Sequence, residues 1–113
     1  MLTINYEEPL TGDVYTIRRG VSAQDNWDLI DDSLPDDIWF HLDDHPSPHV
    51  VIKKEHSMQI PYRCINKAAQ ICKEYSKLTN SRRVKVIYTQ IKYVKKADTV
   101  GAVHIRKTKL VVV

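Results

Sequence analysis

Three groups of side chains in this sequence could do chemistry. The first is His41, Asp43, Asp44, His45, His49 and His56. Imidazole and carboxylate together suit a divalent metal. Strand alternation puts only His41 and His49 on one side. The others fall in polar loop sequence without recognised ligand spacing, so no metal is expected. The second group pairs Asp37, Asp43 or Asp44 with His41 for general acid–base work. That chemistry needs an enclosed site and shifted pKa values. No nucleophile with an adjacent base is present, and the GxSxG, HExxH and P-loop patterns are missing. Gly12, Gly20 and Gly101 are too few and too scattered for a phosphate-cradling loop. The expectation is a protein that is not an enzyme and carries no cofactor.

The third group is basic. Arg82, Arg83, Lys85, Lys92, Lys95, Lys96, Arg106, Lys107 and Lys109 are interleaved with Tyr88, Tyr93 and His104. Cations alternating with rings suit a nucleic-acid surface, where phosphates supply affinity and bases stack. The charge is divided unevenly along the chain. Residues 1–50 hold eleven acids and two bases, a balance of −9, and residues 51–113 hold three acids and fifteen bases, a balance of +12. The net charge of +3 conceals this. Two readings stand: the basic half meets a polyanion, or the halves pair with each other in the fold.

A chain of 113 residues with 42% hydrophobic and 27% charged residues is sized and composed for one globular domain, residues 1–113. Met1–Tyr6 lacks the basic and apolar regions of a signal peptide. No apolar run approaches the roughly 20 residues that cross a bilayer. A cytoplasmic protein without a membrane partner is expected. Cys64 and Cys72 read as one helix, about 12 Å apart along its axis, too far for a disulfide. They are expected to be buried thiols of an intracellular protein.

The elements that would position these groups follow from pattern. Residues 2–6 and 14–19 read as strands joined across Thr11-Gly12-Asp13, with Gly20 ending the second. Ser22 with Asp25 three residues on marks a helix start, and that helix should carry Trp27 and Ile30 inward until Pro35. Residues 37–42 and 49–53 read as a hairpin. Pairing Leu42 with Val50, and Phe40 with Ile52, puts four apolar side chains on one face. The other face then gathers Trp39, His41, His49, Val51 and Lys53. Pro61 opens a second helix expected to reach about Lys77, burying Cys64, Ala68, Ile71, Cys72 and Tyr75. Strands are expected at residues 84–89, 102–106 and 110–113, the last two joined by a basic turn. The sum is an α+β fold, a largely antiparallel sheet with two helices.

The stretch from Asp37 to Lys53 resembles the signature of the NFACT-R family: an aspartate, then tryptophan-phenylalanine-histidine, a turn, and a histidine opening an apolar strand. Here these are Asp37, Trp39, Phe40, His41, His49, Val50 and Ile52. Gly20, Asn26 and Leu29 are similar to the segment before that signature. Ala68-Ala69 and Tyr75-Ser76 are similar to the family's helix. Val84–Thr89 with Val94-Lys95-Lys96 is similar to its valine-tyrosine-threonine strand and basic motif, and Gly101-Ala102-Val103 to its final glycine. The likeness covers about Tyr15 to Val113 and is nearest the small free-standing members, the coiled-coil domain-containing protein 25 type. One departure is Ser47-Pro48, where large members carry glycine-serine; a proline there removes a backbone N–H that could have met a phosphate. The large members' other domains and the small members' charged tail are not in the sequence, so tail-dependent partners are not carried over.

The resemblance implies a non-enzymatic RNA-binding module, for tRNA or ribosomal RNA, linked to translation and ribosome-associated quality control. DNA, the ribosome and translation factors are further partners it allows. The expected phosphate contacts are Arg82, Arg83, Lys92, Lys95 and Lys96, with Lys53, Trp39, His41 and His49 on the hairpin face. Trp39 suits either the core or base stacking, and the histidines either direct function or structural hydrogen bonds. One rival is an adaptor whose acidic N-terminal half meets a basic ribosomal or translation-factor surface. Another is a small metal-dependent hydrolase built on the histidine loop.

Overall fold

Alternation of apolar and polar residues builds one antiparallel sheet of six strands, in the order β1-β2-β4-β3-β5-β8. The strands are β1 (Leu2–Glu7), β2 (Val14–Arg19), β3 (Ile38–Leu42), β4 (Val50–Ile52), β5 (Lys85–Gln90) and β8 (Lys109–Val112). A separate two-stranded ribbon pairs β6 (Val94–Lys96) with β7 (Val103–Ile105). The helices are α1 (Ala23–Asp31) and α2 (Tyr62–Glu74). The computed structural model describes residues 1–55 and 59–113; His56 of the histidine group lies outside the described residues. The α+β fold, with two helices on a largely antiparallel sheet, is as expected.

The sheet is covered on both faces, so it has two cores. Helix α2 covers one face. Its Cys64, Ala68, Ile71 and Cys72 pack with Ile17, Phe40, Leu42, Val50 and Ile52. Helix α1 and the β6–β7 ribbon cover the other, where Leu29, Trp39, Val51, Ile91 and Val94 cluster. Both cysteines are buried and free.

Local chemistry explains the element ends. The β1–β2 turn is held by the Glu8 carboxylate, which accepts from the N–H groups of Leu10 and Thr11, each at 2.9 Å. Gly12 takes the left-handed conformation there, φ 76°. The Ser22 hydroxyl accepts from Asp25 N at 3.1 Å and Asp25 reaches back to Val21 N at 2.9 Å, a capping box shifted by one residue.

Several expectations need correction. The hairpin faces are as read, but the register is displaced by two residues: Phe40 faces Val50 and Ile38 faces Ile52. A two-residue slip preserves sidedness. It arises because Leu42 N donates to the Ser47 hydroxyl at 3.1 Å, which takes Leu42 out of the β4 ladder. On α1 the fully buried residue is Leu29. Trp27 is half-buried at the flank, its Nε1 donating to the Ala102 carbonyl at 3.0 Å. Helix α1 stops at Asp31, ahead of Pro35. Helix α2 ends at Glu74, and Tyr75, having left helical geometry, is 50% exposed beneath the Arg19 guanidinium 3.7 Å away. The strands at 103–105 and 109–112 share a turn yet belong to different sheets.

Candidate nucleic-acid interface

The signature residues form a hydrogen-bonded scaffold inside the domain. Trp39 is 1% exposed and His49 2%. Trp39 Nε1 donates to His49 Nδ1 at 3.1 Å, so Nδ1 is the acceptor and the other ring nitrogen carries the proton of the neutral ring. Burial and the neighbouring His41 push the His49 imidazole down to about 3. It is neutral wherever the protein is folded near neutral pH. His49 N donates to the Asn26 side-chain oxygen at 3.1 Å, and the His49 carbonyl accepts from Gly20 N at 3.0 Å. A Cβ on Gly20 would stand 2.0 Å from that same asparagine oxygen. The chain needs glycine there because the polar cross-link runs through the space.

Asp37 belongs to the same framework. Its carboxylate accepts from Leu34 N at 2.9 Å and Lys54 N at 2.8 Å, tying the segment before β3 to the end of β4. Each oxygen thus holds one backbone N–H, and the side chain is 2% exposed, a framework position. His41 stacks on Trp39 with centroids 5.8 Å apart and stands edge-on to His49 at 5.4 Å. Its Nδ1 donates to the Leu42 carbonyl at 2.6 Å, and burial lowers its pKa. It is the one ring of the signature trio that is not fully buried, lining an open cleft of about 470 Å³ with Asp43, Asp44 and His45. Among the described residues no three His, Cys, Asp or Glu side chains group as metal ligands. Trp39 and His49 also line this cleft but are only 1% and 2% exposed, so His41 is the most accessible ring of the three.

The expected cations divide by position. Arg82 and Arg83 are exposed ahead of β5, Arg83 in a left-handed conformation, φ 54°. Lys92 lies beyond the other end of this six-residue strand, about 20 Å away at 3.3 Å per residue. Lys92 meets Asp36 at 3.3 Å, and Lys96 meets Asp31 while standing 5.4 Å over the Trp27 ring. Asp32 is taken by Arg18, whose guanidinium holds the carboxyl below its usual range. The two charge halves thus do pair, through Lys92–Asp36, Lys96–Asp31 and a longer Arg63–Glu8 contact of 4.0 Å, whereas Arg18–Asp32 lies within the acidic half. The two lysine pairs are exposed and screened by water, and leave the lysines able to exchange partners. Lys95 is exposed on β6, opposite His104 on β7, and Lys53 is half-buried at the end of β4.

The structure also assembles a cluster whose members the sequence contained without showing their proximity. Tyr93 is ringed by three cations: Lys107 at 5.0 Å, Arg106 at 5.1 Å and Lys92 at 5.6 Å from its ring centre. The backbone fixes this arrangement. Thr89, buried on β5, donates its hydroxyl toward the carbonyls of Arg106 (3.0 Å) and Lys107 (3.2 Å). Arg106 N closes onto the Tyr93 carbonyl at 3.3 Å. Lys107 is held at φ 53°, a conformation L-residues rarely adopt, in the turn these bonds define. The only forward sign was the mixture of basic and aromatic residues.

The domain is thus an antiparallel α+β fold with an internal tryptophan–histidine framework and an exterior cation–aromatic cluster. Residues 5–107 match the family described as the NFACT protein RNA binding domain, and the chain belongs to that family. It is 44% identical over 63 residues to the Rqc2 homolog RqcH of Bacillus subtilis, a match covering 56% of this chain and 10% of that protein. It is 36% identical over 104 residues to coiled-coil domain-containing protein 25 of Bos taurus and of Mus musculus, covering 84% of this chain and 49% of each relative. The chain therefore spans about half the length of these relatives or less. Its fold is similar to the C-terminal part of the fibronectin/fibrinogen-binding protein from Streptococcus suis, with TM-score 0.84 and 26% identity over 96% of this chain and 44% of that one.

Proposed function

We propose that this domain binds RNA without catalysing a reaction, through the cations around Tyr93 extended by Lys95, Lys96, Arg82 and Arg83. The observation that carries the reading is the fixed placement of Lys92, Arg106 and Lys107 about one tyrosine ring. Cations whose backbone is already ordered lose less entropy on meeting phosphates than cations on a mobile tail. Family membership supports RNA as the polyanion. The relative named as an Rqc2 homolog supports ribosome-associated quality control as the setting; tRNA or ribosomal RNA as the species and the cytoplasm as the place are part of the proposal, taken from the family resemblance. No helix among the described residues is long and apolar enough to cross a membrane.

The adaptor reading has less support, because the family to which the chain belongs is described as binding RNA. The test is titration of labelled tRNA, with double-stranded DNA of equal length alongside, from 50 to 300 mM salt. Affinity should fall log-linearly with salt. Replacing Arg106 and Lys107 together by glutamine should flatten the slope by about 1.5, the loss of two phosphate contacts. An unchanged slope and affinity would remove this cluster from the interface.

A further inference from the structure

The geometry points to a seat for one unpaired nucleotide in the cleft beside Tyr93, an inference that rests on the RNA reading above and narrows it. The cleft measures about 430 Å³, within the roughly 300–1,000 Å³ of small-ligand sites. Its apolar lining comes from Ile38, Ile60 and Ile65, at the open margin of the core beneath α2. Tyr88 and Tyr93 supply two rings. One face of Tyr88 is already taken by Phe40, with centroids 5.3 Å apart and planes 19° from parallel, so its ring is fixed in orientation. Lys107 and Lys109 stand on the rim. Both are exposed, and neither is in an ion pair among the described residues.

An apolar, ring-lined floor under a lysine rim matches the two halves of a nucleotide. The flat base lies against Ile38, Ile60 and Tyr88, and its phosphate meets Lys107 and Lys109. The rim also carries Asp36, whose carboxylate is engaged by Lys92 at 3.3 Å. The phosphate is therefore expected at the lysine side, away from that acid. Bases inside a duplex keep their faces stacked and cannot enter; a bulged or looped base can. The turn that presents Lys107 is the strained one pinned by the Thr89 hydroxyl, so one lysine of this rim is held in place before RNA arrives.

The experiment compares two RNA hairpins, identical except that one carries a single-nucleotide bulge, by fluorescence anisotropy at fixed salt. Wild type should bind the bulged hairpin about 5- to 150-fold more tightly, the range for stacking one base. Gln90→Trp puts a large ring into the cleft from β5. It should erase that preference while holding affinity for the paired hairpin within about twofold; Gln90→Ala should retain the preference. Equal binding of both hairpins by wild type, with steep salt dependence, overturns the nucleotide seat and leaves RNA binding standing. A preference that survives Gln90→Trp also overturns it, since the bulge is then read elsewhere. Absence of binding to either RNA overturns both. A 2-aminopurine at the bulge gives a readout independent of any variant: binding by wild type should shield it from acrylamide quenching, and unaltered quenching refutes the seat.

Discussion

Lowering the pH from 7.5 to 5.0 should destabilise the domain through His49. In the folded protein this imidazole accepts from the Trp39 indole, and burial and the neighbouring His41 hold it neutral down to about pH 3. In the unfolded chain it titrates near 6.5. Below 6.5 the unfolded state therefore binds a proton that the folded state refuses, and stability falls with pH throughout the window from 6.5 to 3. At pH 5.0 the difference is about 1.5 pH units, or about 2 kcal/mol. His41, also lowered by burial, adds loss in the same direction. The carboxylates of Asp25 and Asp32, lowered by the N-terminal ammonium and Arg18, cost stability only as pH falls to about 4 and below. Urea unfolding at pH 7.5, 6.0 and 5.0 measures the effect. With a urea slope of about 2 kcal/mol/M, the midpoint should drop by about 1 M. His49→Gln, which keeps a donor and an acceptor but does not titrate, should start less stable and lose much less between the two pH values. A midpoint at pH 5.0 equal to that at 7.5 refutes the reasoning, as does an equal loss in His49→Gln.

Gly20→Ala should cost about 2 kcal/mol or more in thermal or urea unfolding, because its methyl group displaces the Asn26 oxygen that holds His49 N. Trp39→Phe should cost about 2–4 kcal/mol by leaving the His49 ring nitrogen unpaired beside a small void, yet bind RNA with unaltered affinity below its melting temperature. Loss of RNA affinity in folded Trp39→Phe would contradict the scaffold role. Cys64, pushed up to about 12 by burial, and Cys72, raised and fully buried, should both resist iodoacetamide at pH 8 in native protein and react in urea. Rapid native labelling of either, read by mass spectrometry, would show that α2 opens readily.

The elements legible in advance were those whose cause is local. The β1–β2 pair, the Ser22 cap and the start of α2 after Pro61 follow from turn residues, a hydroxyl at the right offset and a ring that fixes φ. The sidedness of the hairpin was legible because a two-residue period survives a two-residue slip. Its register was not, since it depends on the Ser47 hydroxyl catching Leu42 N across the loop. Trp27 misled because ring size argues for burial, whereas its indole N–H found the Ala102 carbonyl at the flank, 75 residues away in sequence. Tyr75 fits the helical stripe of α2, but the helix ends one residue before it.

By itself, the sequence determined the fold class, the sidedness of the central hairpin and the family, because alternation, capping chemistry and motif order are written along the chain. Only the tertiary structure decided where the signature residues sit. Asp37, Trp39 and His49 share one pattern with His41, yet three are buried framework and one reaches solvent. Only the structure gathered Lys92, Arg106 and Lys107 around Tyr93, through a Thr89 hydroxyl that reaches 17 and 18 residues along the chain. The physical reason is that periodicity reports which side chains leave water. Which buried polar groups then satisfy one another, and which cations are left outside, depends on contacts between segments distant in sequence.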